Sequence, residues 1–374
     1  MKEKEKKGNK IILIIIFLII IVISLAIKTG ISIYKWQKLA KDMIANSPST
    51  ILDSKYEEIA KIGNNKNTKN ILISNVPENL KNAYISIEDQ RFYSHSGVDL
   101  PRTFSAIISY IRNLGSSSFG GSSITQQLVK NLTGDNSSKV TRKISEWIKA
   151  FALEGILTKD EILEAYFNII YIGPNIYGVS LGSEYYFDKE LSNLSLAECA
   201  FLAGINNSPN SYNPFDKEKD NSEKIKNRTS VVLKKMLELG YIDNTSYEKA
   251  IEEVNSGLQF KNGKINSNKE SNIYSYHTDA LLNELIQDLS KKEKISEAFA
   301  INYLEMAGLK IYSTVDTKIQ NQMESEVQKG KYILKSVKNP GNNSQAAMVI
   351  INHQNGYVVR MCTVELEKKK LQEV

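Results

Sequence analysis

The chain has 374 residues, with 48 Lys and Arg against 42 Asp and Glu, a formal excess of +6. That length accommodates two domains and a sizeable core, and so mild a basicity argues against nucleic acid as a partner. Two cysteines, Cys199 and Cys362, exclude a disulfide framework, and three scattered histidines, His95, His277 and His353, leave no case for a zinc site.

Residues 1–10 carry Lys2, Lys4, Lys6, Lys7 and Lys10 against two glutamates, a net of +3. From Ile11 to Ile27 follow seventeen uncharged residues with Ser24 as the one polar interruption, near the lower limit of about 17–25 needed to span a bilayer. The run is long for a cleaved signal peptide and no small-x-small cleavage site follows, so an uncleaved anchor is expected at 11–30, behind a cytoplasmic tail at 1–10. The aromatic and basic ISIYKWQKLAKDMI suits a helix leaving the interface, and GNNKNTKN at 63–70 reads as a loop closing a membrane-proximal linker over 31–70.

In NAYISIEDQRFYSHSG, residues 82–97, Pro77 and Glu78 open a helix whose Leu80, Ala83, Tyr84 and Ile87 share one stripe. Glu88 falls at the edge of that stripe, against apolar surface, where a carboxylate suits general-base work. The alternative is an acid pair, Glu88 and Asp89, that merely ends a solvated helix. Phe104 to Leu114 is apolar on most sides, either a buried helix or one that dips into lipid headgroups. GSSSFGG at 115–121 reads as a loop. It leads into SSITQQLVKNL, where Ser123 and Gln126 form a capping box; hydroxyls and free N–H groups at such a start also suit an anion.

Val140 to Glu154 is expected to be a helix with Val140, Ile144, Trp147, Ile148 and Phe151 on one stripe and Arg142, Lys143, Glu146 and Lys149 on the opposite arc. Ion pairs at i,i+3 and i,i+4 on a surface helix account for this pattern; so does a site holding a pyrophosphate beside a second carboxylate. From Lys159 to Phe215 two helical patterns flank a Gly/Pro/Asn turn, with Tyr166, Tyr171, Tyr177, Tyr185 and Tyr186 among amides, material for gripping sugar rings or for a core. Residues 216–254 read as charged helices, 255–274 as a polar linker, and 275–290 and 295–306 as helices. GLKIYSTVD and QAAMVIINHQNGYVVRM read as strands, the second with an NG hairpin turn.

The order EDQRFYSHSG (88–97), GGSSITQQLVKNL (120–132), RKISEW (142–147), KDEILEAYFNIIYIG (159–173) and YGVSLGSEYYFDK (177–189) resembles the family 51 glycosyltransferases. That is the peptidoglycan polymerase module of class A penicillin-binding proteins and of monofunctional peptidoglycan glycosyltransferases. The resemblance implies a mainly α, lysozyme-like glycosyltransferase domain over 71–240 behind the transmembrane helix. A helical linker would follow at 241–307, then a short α/β remnant of a linker and transpeptidase region at 308–374. The implied chain is a single-pass protein of the bacterial cell membrane, its N-terminus cytoplasmic and its catalytic domain outside. It would polymerise lipid II into β-1,4-linked glycan with inversion, releasing undecaprenyl pyrophosphate.

Carried over by position, Glu88 would be the general base and Glu146 the second catalytic glutamate, facing the leaving pyrophosphate. Arg142 and Lys143 would neutralise the phosphate charge; Ser122, Thr125, Gln126 and Gln127 would line the donor cleft; Asp89, Phe92, His95 and Gly97 would support Glu88. Asn168 joins the substrate-binding set. No cofactor is required by the family, with a divalent cation such as Mg2+ or Mn2+ near Glu146 as an option. The partners implied are lipid II, the growing glycan, the cytoplasmic membrane and other cell-wall synthesis proteins. Ser123, Gly182 and Asp188 stand where the family commonly has threonine, alanine and glycine.

Segments 308–320 and 345–361 resemble the start of a transpeptidase domain, and the chain ends just after them. The Ser246 to Lys249, Ser208 to Asn210 and Lys28 to Gly30 matches to transpeptidase motifs are out of order, and Thr245 with Glu248 reads better as a capping box. The reading is therefore a C-terminally truncated protein with no transpeptidase activity and no covalent penicillin binding in this chain. Residues 308–374, with no sheet to complete, are expected to be poorly ordered. A lytic glycosidase on a lysozyme-like fold and an inactive binding remnant are the alternatives; the cations at 142 and 143 and the intact carboxylates weigh against each in turn.

Overall fold

The computed structural model describes residues 2–63, 67–112, 121–137, 139–261, 275–329 and 347–363. Its first element, α1 (Lys2–Ile44), is one uninterrupted helix of 43 residues. At 1.5 Å per residue it is about 65 Å long, roughly twice a bilayer's hydrocarbon core. The stretch Ile16–Ile44 is long and apolar enough to cross a membrane, with a window of mean hydropathy 2.5 that is nowhere buried. Its last turns are different. Trp36, Leu39, Ala40 and Met43 are buried, Trp36 Nε1 donates to the Lys149 carbonyl at 3.1 Å, and the Lys149 ammonium sits over the Trp36 ring. The apolar helix is thus continuous with the core.

Two short strands that the periodicity did not indicate follow, β1 (Ser49–Leu52) and β2 (Glu58–Ile62), paired antiparallel. β3 (Asn67–Thr68) lies within the expected loop. The main helical body comprises α2 (Glu78–Glu88), α3 (Leu100–Arg112), α4 (Ile124–Thr133), α5 (Val140–Glu154) and α6 (Lys159–Ile169), then the strands β4 (Tyr171–Gly173) and β5 (Ile176–Tyr177), and α7 (Val179–Phe187), α8 (Leu196–Ile205) and α9 (Ser222–Glu238). β5 lies between β3 and β4. α10 (Asn244–Ser256), α11 (Tyr276–Glu293) and α12 (Glu297–Met306) follow, then β6 (Lys310–Tyr312), α13 (Thr317–Gln328), β7 (Ala347–Ile351) and β8 (Val358–Thr363).

The core forms where α2 packs on α8 and α9, and α4 on α5 and α6. α8, LAECAFLAGI, is apolar all round and buried from Ala197 to Ile205, as such a helix must be. Cys199 lies inside it, and burial pushes its thiol up to about 12. Capping boxes at Ser123, Thr158 and Ser195 start α4, α6 and α8. α10 corrects one reading: its cap is Asp243, which accepts the Ser246 N–H at 2.7 Å, in place of Thr245. Asp188 closes α7 in the left-handed region at φ 52°, which explains why glycine also suits that position.

β6 corrects another expectation. It pairs parallel with β1, Ile51 opposite Ile311, so the start of the 308–374 region completes a sheet with the chain's own first strand. β7 and β8 form the expected hairpin, with Gly356 at φ 74°. The expectation that these strands find no partner to pair with therefore fails. Residues 330–346 and 364–374, like residues 113–120 and most of the 255–274 linker, lie outside the described residues.

α5 has the length that the periodicity indicates but the opposite facing. Val140, Ile144, Ile148 and Phe151 are exposed, whereas Glu146 is buried. α3 likewise exposes Leu100, Phe104 and Ile108. The loop joining α2 to α3 rests on α5: Gly97 sits at φ 91°, and a Cβ there would lie 2.7 Å from the Ala150 carbonyl oxygen. Gly97→Ala should therefore destabilise the protein by at least about 1–3 kcal/mol through backbone strain alone, read as a lowered thermal midpoint of the detergent-solubilised chain.

Candidate active site

Glu88 ends α2, and Asp89 breaks the helix with φ −156°. The break turns the two acids apart. Asp89 points inward and is fully buried; its carboxylate meets His95 Nε2 at 2.9 Å and accepts the Ile124 backbone N–H at 3.0 Å. It thus engages one of the unpaired N–H groups at the start of α4. Glu88 points into a cleft of about 640 Å³, also lined by Ser122, Gln126, Gln127, Glu146 and Asn206.

The surroundings of Glu88 differ from the apolar edge expected of it. Gln127 Nε2 donates to its Oε2 at 2.7 Å and Asn206 Nδ2 to its Oε1 at 3.0 Å. Arg102 on α3 donates to the Glu88 carbonyl oxygen. α3 is itself started by Asp99, whose Oδ1 accepts the Arg102 N–H at 2.9 Å. Burial pushes the Asp99 carboxyl up, but the Arg91 guanidinium and the Arg102 N–H outweigh it and hold it below the usual range.

Glu146 is held from α4 as well. Gln126 Nε2 donates to its Oε1 at 2.9 Å, Arg142 pairs with Oε2 and Lys143 with Oε1. Lys143 also donates to Ser122 Oγ at 2.8 Å. Consecutive residues of one helical turn, Gln126 and Gln127, diverge by about 100° and so serve two carboxylates. Gln126 does this while its Oε1 accepts the Ser123 N–H at 3.0 Å, so capping and site duties fall on one side chain. Ser123 Oγ accepts the Gln126 N–H and donates to the Gly97 carbonyl.

Three of the expected residues act behind the cleft. Thr125 Oγ1 donates to Glu154 at 2.6 Å; Lys159 joins that carboxylate to the His95 carbonyl and lies 4.5 Å from the Phe92 ring centroid. Phe92, His95 and Thr125 are thereby packed into a support under the loop that follows Glu88. Asn168 is placed elsewhere: its amide exchanges hydrogen bonds with the Ile71 backbone, at 2.8 and 3.0 Å, and it is not among the residues lining the cleft.

Asn206, Arg102, Lys130 and Arg228 belong to the site or its margin without having been singled out for it from sequence, and Tyr166, read there as sugar-gripping or core, lies behind it on Asn206. Lys130 was within reach of a motif reading, one turn beyond Gln126 on α4. The cleft and the cations bound to Glu146 set Arg102, Lys130, Arg142, Lys143 and Arg228 against two carboxylates, an excess that favours an anionic ligand. Beside Glu146 both carboxylate oxygens are engaged by Arg142 and Lys143, and no cluster of three or more His, Cys, Asp or Glu suited to a metal occurs among the described residues.

Residues 55–237 match the transglycosylase family model and form a domain of that family. The particular relatives are penicillin-binding proteins 1A. That of Clostridium botulinum is 36% identical over 353 residues, covering 93% of this chain and 42% of the relative. That of Streptococcus pneumoniae is 33% identical over 322 residues, covering 85% and 41%. The chain thus spans less than half the length of these relatives. A crystal structure of penicillin-binding protein 1A from Haemophilus influenzae aligns with 76% of this chain at 19% identity and a TM-score of 0.31, too low for the alignment to carry an argument.

Asp89→Asn replaces a buried carboxylate that accepts two hydrogen bonds. It should lower stability by about 1.5–3 kcal/mol, whereas Glu88→Gln, which keeps its amide neighbours at the edge of a cleft, should lower it by less. Urea denaturation of both variants in detergent checks the order.

Proposed function

We propose that this chain is a membrane-anchored peptidoglycan glycosyltransferase that polymerises lipid II into β-1,4-linked glycan. The observation that carries the reading is the pair of carboxylates held by consecutive glutamines of α4, one in amide surroundings and one between two cations. Glu88, with lone pairs left beside its two amide contacts, takes the proton from the 4-hydroxyl of the acceptor sugar. That oxygen attacks the anomeric carbon of the growing chain from the face opposite the leaving group, which inverts the centre. Undecaprenyl pyrophosphate departs toward Arg142 and Lys143, whose charges meet the negative charge as it develops. Glu146, which lines the cleft, keeps those two cations aligned at its margin.

The exposed apolar residues of α3 and α5 support a bilayer-seated substrate. Leu100, Phe104, Ile108, Val140, Ile144, Ile148 and Phe151 all face outward, and a face of that kind is more at home in headgroups and acyl chains than in water. The basic residues 2–10, ahead of the apolar run of α1, support an N-terminus inside the cell and a catalytic body outside. Growing glycan and other cell-wall synthesis proteins are the partners this reading entails.

The test is lipid II polymerisation by the detergent-solubilised chain, with products resolved by length. The parent should form polymer, and Glu88→Gln should lower kcat by about 10²–10⁴. Shortening of added glycan would show hydrolysis instead, and a folded parent without polymer would leave only binding. Lys143→Ala should lower kcat by about 10²–10³ with a smaller change in KM, because its charge acts mainly on the departing pyrophosphate; steady-state kinetics on a soluble-chain lipid II separate the two constants.

A further inference from the structure

Tyr166 lies on α6, 40 residues before Asn206 and 39 after Gln127, yet its hydroxyl touches both. Asn206 Nδ2 donates to the phenol oxygen at 2.9 Å, and the phenol donates to Gln127 Oε1 at 3.0 Å. The ring is fully buried, edge-on against Tyr84 with centroids 6.1 Å apart. Burial, reinforced by the Glu88 charge, pushes this phenol well above its ordinary range, so it keeps its proton across the working range of the site.

The donor inventory then leaves one arrangement. A phenol has one hydrogen. Because Asn206 presents an N–H to the oxygen, that hydrogen goes to Gln127 Oε1. With its carbonyl so occupied, Gln127 turns Nε2 toward Glu88 Oε2. Asn206 turns its second amide hydrogen to Glu88 Oε1, and its Nδ2 also lies 3.4 Å from Gln127 Oε1, a longer contact that favours the same orientation. A terminal amide is otherwise a broad, two-fold rotor, and the reversed Gln127 would set its carbonyl oxygen against the carboxylate.

We infer that the Tyr166 hydroxyl is a positioning group for Glu88, setting the direction of the Gln127 and Asn206 amides so that both present N–H to the carboxylate. Its catalytic consequence rests on Glu88 being the base of the proposed transfer. Tyr84 supplies the control. It is an equally buried neighbour whose hydroxyl instead donates to the Leu202 carbonyl at 3.0 Å, so Tyr84→Phe removes a buried hydrogen bond of similar kind without touching either amide.

The experiment compares parent, Tyr166→Phe and Tyr84→Phe by steady-state kinetics as a function of pH. Tyr166→Phe should lower kcat about tenfold, leave KM unchanged and move the acidic limb of the kcat profile to higher pH, since the carboxylate loses ordered donors. Tyr84→Phe should leave kcat and the profile at parental values. Parental kinetics in Tyr166→Phe, or equal losses in the two variants, would overturn the inference. A second readout does not need turnover: in full chain labelled with 15N-glutamine, the Gln127 side-chain amide, assigned through Gln127→Met, should exchange slowly in the parent and fast in Tyr166→Phe. Retained slow exchange would overturn the orientation claim even in a parent that forms no polymer. Loss of protection in such a parent would uphold it while removing the glycosyltransferase reading.

Discussion

The first turn of α4 is the constraint on which the site depends. A helix start leaves backbone N–H groups without intrahelical partners, and here they are shared among distant parts of the chain. Ile124 N–H goes to Asp89, Gln126 N–H to Ser123, and the Ser123 hydroxyl reaches back to Gly97. These bonds fix the loop after α2 to α4 and therefore fix where Glu88 stands. The side chains of the same turn then hold both carboxylates of the cleft. A helix start deep in the protein needs its donors satisfied, and meeting that need builds the site.

α5 connects the site to its surroundings. Its ion-paired face is turned inward against α4, and its apolar stripe is left on the outside beside that of α3. In a water-soluble domain the arrangement would expose the wrong face. Beside a helix able to span a bilayer it is the facing that the proposed lipid-borne substrate would require. The end of α1 is clamped to α5 through Trp36, Gln37 and Lys149, so the apolar helix packs directly on the helix carrying Glu146.

Much of this was visible in local pattern. The bounds of α5, the capping box of Ser123 and Gln126, the anchor and the hairpin turn at Asn355 and Gly356 all follow from spacing within a few residues. The motif order led to Glu88, Glu146, Gln126 and Gln127, which the fold brings around one cleft, and to Arg142 and Lys143, which pair with Glu146 at its margin. Other contributions left no local trace. Asn206 reaches Glu88 from 118 residues away, and the tyrosine joined to it reads, by periodicity alone, as core. β1 and β2 are too short to show an alternation, and the partner that stabilises β1 lies beyond residue 308.

What the amino-acid sequence determined by itself were the properties carried by neighbours along the chain: helix lengths and starts, the apolar span, and the identity and order of the chemical groups. Only the tertiary structure decided which face of α5 looks into the cleft, which amides meet Glu88, and that Asn168 serves Ile71. The physical reason is that periodicity reports that a helix has two faces, whereas their assignment depends on what packs against each. For α5 the charged face meets the glutamine of a capped helix, while Val140, Ile144, Ile148 and Phe151 of the apolar stripe are left exposed and Trp147 packs on the core, an outcome set by long-range hydrogen bonds that no local window contains.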